Sequence, residues 1–234
     1  MPHPVVSRDE WLKARQALLI KEKEESRMRD AVNAARMALP WVAIDKAYVF
    51  DTPGGKMTLA DLFAGRSQLL LYHFMLGPDW TEGCPRCSFI ADHVAGALPH
   101  LNNHDVTWIA VSRAPLPKIE AYKRRMGWTF PWASSFGSDF NYDFAVSFTD
   151  EERASGAIHY NYADRAMNRD ELSGLSAFFK DAAGNVFHTY STYARGLESL
   201  AGTLLMLDRA PKGRNETSSL SFIKRHDEYS AAAE

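Results

Sequence analysis

The spacing of apolar positions divides the chain near residue 40. From 7 to 38 the chain is rich in charge, and Trp11, Leu12, Leu18, Leu19, Met28 and Val32 give only a patchy apolar face. Ser7 with Glu10 three positions on is a capping box, the interior holds no glycine or proline, and Pro40 marks a stop. These signals predict one long helix over 7–38. Its run Lys21-Glu22-Lys23-Glu24-Glu25 reads as a solvated face. The segment is expected to be an arm that packs on the main domain or on a second copy of the chain.

Beyond Val42 the pattern shortens. Tyr48-Val49-Phe50 predicts a strand, residues 51–55 a turn and 59–63 a short helical turn. Residues 68–75 form a compact apolar run without glycine or proline, the pattern of a strand inside a sheet. A polar loop over 77–83 then leads to a helix expected from Pro85 to Leu98, with Ile90, Val94 and Leu98 at helical spacing and Pro99 closing it. Residues 106–111 predict a second buried strand and 117–126 another helix. The aromatic stretch 128–148 takes no assignment. Residues 175–180 and 186–190, flanking a loop with Gly184, predict a hairpin, and 197–207 a last helix. From Pro211 the tail is polar and is expected to be mobile. Strand, helix, strand, helix, hairpin, helix gives an α/β fold with a parallel half and an antiparallel half. The expected division is an arm over 1–40, one domain over 41–210 and a tail over 211–234.

Composition narrows the classes. At 234 residues the chain is long enough to bury one large core, and 27 basic against 29 acidic side chains leave a formal charge of −2. That balance lacks the field that binds nucleic acid or an anionic membrane. No apolar run approaches the roughly 20 residues of a membrane helix. The opening Met1-Pro2-His3-Pro4 shows no secretory signal, so a cytoplasmic location is expected.

Only two cysteines occur, Cys84 and Cys87, separated by Pro85 and Arg86. One tiny loop staples nothing, which excludes a disulfide scaffold and leaves a redox dithiol, a metal site or a chance pair. If a helix opens at Pro85, Cys84 is its cap. Free N–H groups would then point at the sulfur and favour its thiolate, with Arg86 adding a cation while Asp79 and Glu82 oppose it. Cys87, one turn later on the same side, would close on a mixed disulfide. Cys84 is therefore expected to attack and Cys87 to resolve. His73 and His93 are candidate proton donors. Trp80 and the aromatics from Trp128 to Phe144 are candidate groove walls, although core packing explains most such residues. The rival reading is metal. Cys84, Cys87, His100 and His104 match C-x2-C-x12-H-x3-H, a zinc-finger spacing, but Pro99 breaks the helix that such a finger needs.

The apolar run ending Tyr72-His73-Phe74-Met75, followed by Gly83-Cys84-Pro85-Arg86-Cys87, resembles the strand, active-site loop and helix of the thioredoxin superfamily. Over roughly residues 5–215 the chain is similar to a widespread bacterial family of uncharacterised thioredoxin-like proteins, predicted to be dithiol-disulfide oxidoreductases. The carrying segments include Tyr72-His73-Phe74-Met75-Leu76-Gly77-Pro78-Asp79-Trp80, Gly137-Ser138-Asp139-Phe140-Asn141-Tyr142-Asp143-Phe144 and Phe187-His188-Thr189-Tyr190-Ser191-Thr192-Tyr193-Ala194-Arg195-Gly196. The resemblance implies a thioredoxin-like mixed sheet flanked by helices, with the long N-terminal arm added. One departure concerns the cis-proline that faces the dithiol in thioredoxin-type enzymes: no proline stands between Pro131 and Pro211, and the matching place is near Ser173-Gly174-Leu175. That puts general protein-disulfide reduction in question and slightly favours a zinc or copper alternative. A second similarity is to the peroxiredoxin loop, where Pro78, Thr81 and Cys84 approximate the motif with Pro78 one residue too close, and Arg113 or Arg195 would supply its arginine.

The expected function is thus a thiol-disulfide oxidoreductase needing no cofactor, with Cys84 and Cys87 catalytic and Thr81, Arg86, Trp80, His73 and Arg113 in support. Its partners would be a thiol or disulfide substrate, small molecule or protein, and a cellular thiol reductant. Neither nucleic acid nor membrane is expected, and the arm offers a homodimer contact. The alternatives are a thiol peroxidase and a metal-binding protein.

Overall fold

The computed structural model describes residues 3–229, which fall into two compact units divided between Pro40 and Trp41. The first unit is a single helix, α1 (Arg8–Met37). Its capping box is formed, with the Glu10 N–H donating to Ser7 Oγ at 3.3 Å and the Ser7 N–H to Glu10 Oε2 at 3.0 Å, and it buries no residue.

The second unit is built on ten strands: β1 (Val42–Ala43), β2 (Val49–Thr52), β3 (Gly55–Thr58), β4 (Gln68–His73), β5 (Val106–Ser112), β6 (Trp132–Ser134), β7 (Ile158–Tyr160), β8 (Ala163–Arg165), β9 (Gly174–Lys180) and β10 (Val186–Tyr193). Its helices are α2 (Pro85–Ala91), α3 (Leu98–Asn103), α4 (Leu116–Arg125), α5 (Phe140–Asp143), α6 (Asp150–Ala154) and α7 (Gly202–Leu207). Eight strands form one sheet in the order β1-β10-β9-β4-β5-β6-β2-β3, and β7 and β8 pair separately. β4 and β5 run parallel with Leu71 opposite Ile109, whereas β9 runs antiparallel to β4 with Tyr72 opposite Leu175, and β10 antiparallel to β9. Two parallel strands joined through helices, with an antiparallel hairpin beside the first, make the centre of this sheet thioredoxin-like. Among the described residues no helix is long and apolar enough to cross a membrane.

Strand alternation sorts the core into two layers. On β4 and β5, Leu69, Leu71, Ile109 and Val111 face a layer containing Phe50, Phe63, Phe140, Phe144 and Phe178. Tyr72, Trp108 and Ala110 face the opposite layer with Phe74, Tyr122, Trp128, Phe130, Trp132 and Cys87. The aromatic stretch that the sequence pattern leaves open is thus β6 and α5, and most of its rings are core. Trp132 Nε1 donates to Ser112 Oγ at 3.0 Å and Trp128 Nε1 to Asp92 Oδ1 at 2.8 Å.

Three expected elements differ. The helix expected over 85–98 stops at Ala91, where the N–H groups of His93 and Val94 reach back only three residues, to Ile90 and Ala91. Gly96 disfavours its continuation. Pro99 does not close that helix but sits in the first turn of α3, where its missing N–H has no intrahelical partner to lose. The helix expected over 197–207 is split into a 3-10 segment (Ala194–Leu200) and α7. The tail expected to be mobile carries specific contacts through Tyr229: Phe222 meets Phe89 edge-on at 6.2 Å, and Arg214 Nε donates to Asp208 Oδ1 at 2.6 Å. Residues 230–234 lie outside the described residues.

Candidate active site

The loop after β4 is folded back on its own strand. The Cys84 N–H donates to the Met75 carbonyl at 3.0 Å, and Lys118 Nζ donates to the Pro78 carbonyl. A Cβ on Gly83 would stand 2.6 Å from Tyr122 Cε1 and 2.7 Å from Phe74 Cε1, so only glycine lets the backbone pass between those rings. Cys84 then caps α2 with extended-type dihedrals (φ −57°, ψ 130°), and Pro85 takes the first helical position. The Cys84 carbonyl accepts the Ser88 N–H and the Ser88 hydroxyl, both at 2.9 Å, which fixes the turn carrying both cysteines.

The two thiols are both free and are given opposite character. Cys84 is half-buried, and its pKa is lowered to about 6. The Cys87 thiol donating to its sulfur is the largest cause, helped by the N–H groups of Cys87 and Arg86 and by the Arg86 charge, and opposed by burial. Cys87 is buried, and that burial together with its donation to Cys84 pushes its pKa well up. The Met75 N–H points at the Cys87 sulfur from 3.5 Å. The Tyr72 hydroxyl, buried and among the described residues without a hydrogen-bond partner, stands close enough to that sulfur to act on its charge.

A cavity of about 640 Å³ opens on the pair. Tyr72, Tyr160, Ser173, Arg86, Arg169 and Arg195 are among the residues that line it with Cys84 and Cys87. Tyr160 is fixed by donating its hydroxyl to the Ser173 carbonyl at 2.7 Å and by accepting the Ala194 N–H at 3.0 Å. Ser173, in the segment where the resemblance leads one to expect a cis-proline, lines the cavity with the dithiol, and among the described residues no peptide bond is cis. A larger depression of about 1000 Å³ lies between His93, Phe89 and the 210–215 turn and contains neither cysteine.

Of the expected supporting residues, the fold brings Arg86 to the thiols and separates the others. His73 alternates with Tyr72 on β4 and therefore points into the opposite layer, stacked on Phe140 at 5.6 Å with Nε2 at 2.8 Å from Ser176 Oγ. Burial holds its pKa at about 3. Thr81 is exposed and outside the cavity. Trp80 donates Nε1 to Asp170 Oδ2 at 2.7 Å. Arg113 Nε pairs with buried Glu171 Oε1 at 2.8 Å, and its guanidinium lies 4.7 Å over the Tyr142 ring, in a separate depression. Burial raises the Glu171 pKa to about 7 against the pull of Arg113. His93 is held between the Phe89 carbonyl and Thr203 Oγ1, each at 2.7 Å. The metal alternative is not assembled: His100 and His104 are exposed at α3, and among the described residues no three His, Cys, Asp or Glu side chains are grouped to hold an ion.

Tyr72, Tyr160, Arg169 and Arg225 were not legible as site residues. Only Tyr72 had a signal, since period-two alternation on β4 puts Tyr72, and not His73, on the layer that receives α2. Arg225 donates Nε and Nη2 to the Gly83 carbonyl at 3.1 and 2.8 Å and Nε to Tyr122 Oη at 3.1 Å, from a tail with no periodic pattern to announce it.

The model of the family described as "Bacterial protein of unknown function (DUF899)" matches residues 1–229. No curated protein matches the sequence. Similar solved structures include the peroxidoxin BcpB of Mycobacterium tuberculosis, at 11% identity over 70% of this chain and 92% of that one, with a TM-score of 0.48. The bacterioferritin comigratory protein of Xanthomonas campestris matches at 15% identity, over 70% and 94%, with a TM-score of 0.44. The mitochondrial 2-Cys peroxiredoxin of Plasmodium falciparum matches at 16% identity, over 72% and 94%, with a TM-score of 0.42. At these identities no residue role passes from those proteins to this chain.

Proposed function

The chain belongs to that bacterial family of unknown function, and we propose that it is a dithiol-disulfide oxidoreductase in which Cys84 attacks and Cys87 resolves. The observation that carries this reading is the asymmetry of the pair: a half-buried Cys84 as the cap of α2 behind Pro85, beside a buried Cys87, so that the N–H groups at the helix start and the neighbouring thiol favour the charged form of the first while burial keeps the second protonated. At neutral pH a thiol with pKa near 6 is mostly thiolate, where an ordinary cysteine with pKa of about 8.5 is only a few per cent ionised.

The Cys84 thiolate displaces one sulfur of a disulfide, forming a mixed disulfide and releasing the first thiolate. Cys87 then gives up its proton and attacks the Cys84 sulfur, which closes the Cys84–Cys87 bond and releases the second. Two electrons pass to the substrate; one released thiolate takes the Cys87 proton and the other takes a proton from solvent. A cellular thiol reductant reverses the cycle, as suits a cytoplasmic protein. The peroxidase alternative would use the same Cys84; Thr81 faces solvent and Arg113 is committed to Glu171, while Arg195, the other expected arginine, lines the cavity with Cys84. The arm α1 is the segment assigned to pairing with a second copy, since Trp11, Leu12, Leu18 and Leu19 recur at seven-residue spacing and are exposed.

Equilibration in glutathione buffers of graded ratio, with free thiols counted, tests the reading. Both thiols should titrate together in one two-electron step between about −120 and −270 mV. Cys84→Ser should abolish turnover, and Cys87→Ser should accumulate a mixed disulfide on Cys84. Separate titration of the two thiols, or turnover that survives both changes, contradicts it.

A further inference from the structure

The walls of the cavity beside Cys84 say what can reach the sulfur. Met75, Ile90, Leu172, Leu197 and Leu204 give it an apolar side, and the tail closes it with Leu220 and Ile223. That wall is pinned at two points next to the nucleophile: Arg86 Nη2 donates to the Ser219 carbonyl at 3.2 Å, and Arg225 holds the Gly83 carbonyl and pairs with Glu82 at 3.0 Å. An extended protein segment therefore has no open groove along the thiols, while about 640 Å³ suits a small molecule. Charge narrows the choice further. Arg86, Arg169 and Arg195 line the cavity. Among the described residues its one carboxylate, Glu198, pairs with Arg195 at 2.9 Å and Arg214 at 3.4 Å, and Arg169 has no ion pair.

We infer that the substrate is a small organic thiol or disulfide in which an apolar chain ends in a carboxylate. The apolar side takes the chain and Arg169 takes the carboxylate, with Arg195, whose partner Glu198 is shared with Arg214, beside it, so that a sulfur at the other end meets Cys84. This rests on the dithiol reading above. In the reductive direction one thiolate of a dithiol substrate attacks the Cys84 sulfur of the Cys84–Cys87 disulfide and displaces Cys87, which takes a proton. The second thiol, deprotonated, closes on the first and releases Cys84. One disulfide breaks and one forms; two electrons reach the protein, one proton stays on Cys87, Cys84 is left as thiolate and the second substrate proton goes to solvent.

The test uses oxidised protein and two probes that differ only far from their sulfurs, dihydrolipoate and its neutral amide dihydrolipoamide, with neutral dithiothreitol as reference. Dihydrolipoate should reduce the protein about tenfold faster than dihydrolipoamide at low salt, the lower end of what charge steering supplies. The advantage should shrink as salt rises to 1 M and fall to near unity when Arg169→Gln and Arg195→Gln are combined. Equal rates, or a faster amide, overturn the substrate assignment and leave the dithiol intact. A protein whose cysteines form no disulfide, or one that no probe including dithiothreitol reduces, overturns the dithiol reading and this inference with it.

Discussion

Cys84 and Cys87 are the same residue type one turn apart, and their surroundings alone divide the labour between them. The sequence made the pair and its order legible, because Pro85 and the preceding apolar run locate the start of a helix. It could not show what stands behind Cys87. The Tyr72 hydroxyl stands near that sulfur, buried and without a hydrogen-bond partner among the described residues, so it is placed to donate to the thiolate that Cys87 must become to resolve a mixed disulfide. Tyr72→Phe is expected to slow resolution by roughly tenfold, the kinetic equivalent of one hydrogen bond to a charged group. Stopped-flow measurement of mixed-disulfide decay checks this, and an unchanged decay rate contradicts it. His73 belongs to stability instead. Its folded pKa of about 3 lies below the unfolded value near 6.5, so as pH falls below about 6.5 the unfolded chain binds a proton that the folded one refuses. Stability should therefore drop on acidification towards pH 3. In His73→Phe the slope of unfolding free energy between pH 6 and 4 should lessen by about 1.4 kcal/mol per pH unit. Denaturant titrations across that range measure it.

At the scale of elements, the parts readable in advance were those with a strong period or a strong stop. β4 and β5 are uninterrupted apolar runs, α1 carries a capping box, and β9 and β10 flank a loop with Gly184. What escaped had competing signals. Ile90, Val94 and Leu98 keep helical spacing across a break that Gly96 permits, and the rings from Trp128 to Phe148 are packed on both layers, which erases any alternation. The tail escaped because three apolar residues, Leu220, Phe222 and Ile223, are too few to show a pattern, and its hold on the site comes from long-range polar contacts. Arg225→Ala removes a largely buried guanidinium from Gly83, Tyr122 and Glu82. It should lower stability by about 1–3 kcal/mol. It should also raise the rate at which a bulky maleimide labels Cys84 more than the rate for a small one. Equal acceleration of both reagents contradicts the role of the tail as a wall.

At the scale of the whole molecule, the sheet order sets the chemistry: β4 ends where α2 begins, β9 brings Ser173 to the same spot, and β10 leads into Arg195 and Leu197 across the cavity. The arm adds a helix of 30 residues with no buried side chain, so its exposed Trp11, Leu12, Leu18 and Leu19 await cover. Sedimentation should find the full chain dimeric and a chain beginning at Trp41 monomeric; two monomers contradict the pairing assigned to the arm. The claim on which the functional account turns is narrower, namely that Cys84 is ionised and reachable while Cys87 is neither. Alkylation of the reduced protein by iodoacetamide, followed against pH with the modified residue located by mass spectrometry, addresses it directly. One adduct should form first, on Cys84, at a rate that is low under acid conditions, rises through a midpoint near pH 6 and is flat above it. First labelling at Cys87, or a midpoint near the ordinary cysteine value of about 8.5, contradicts the account.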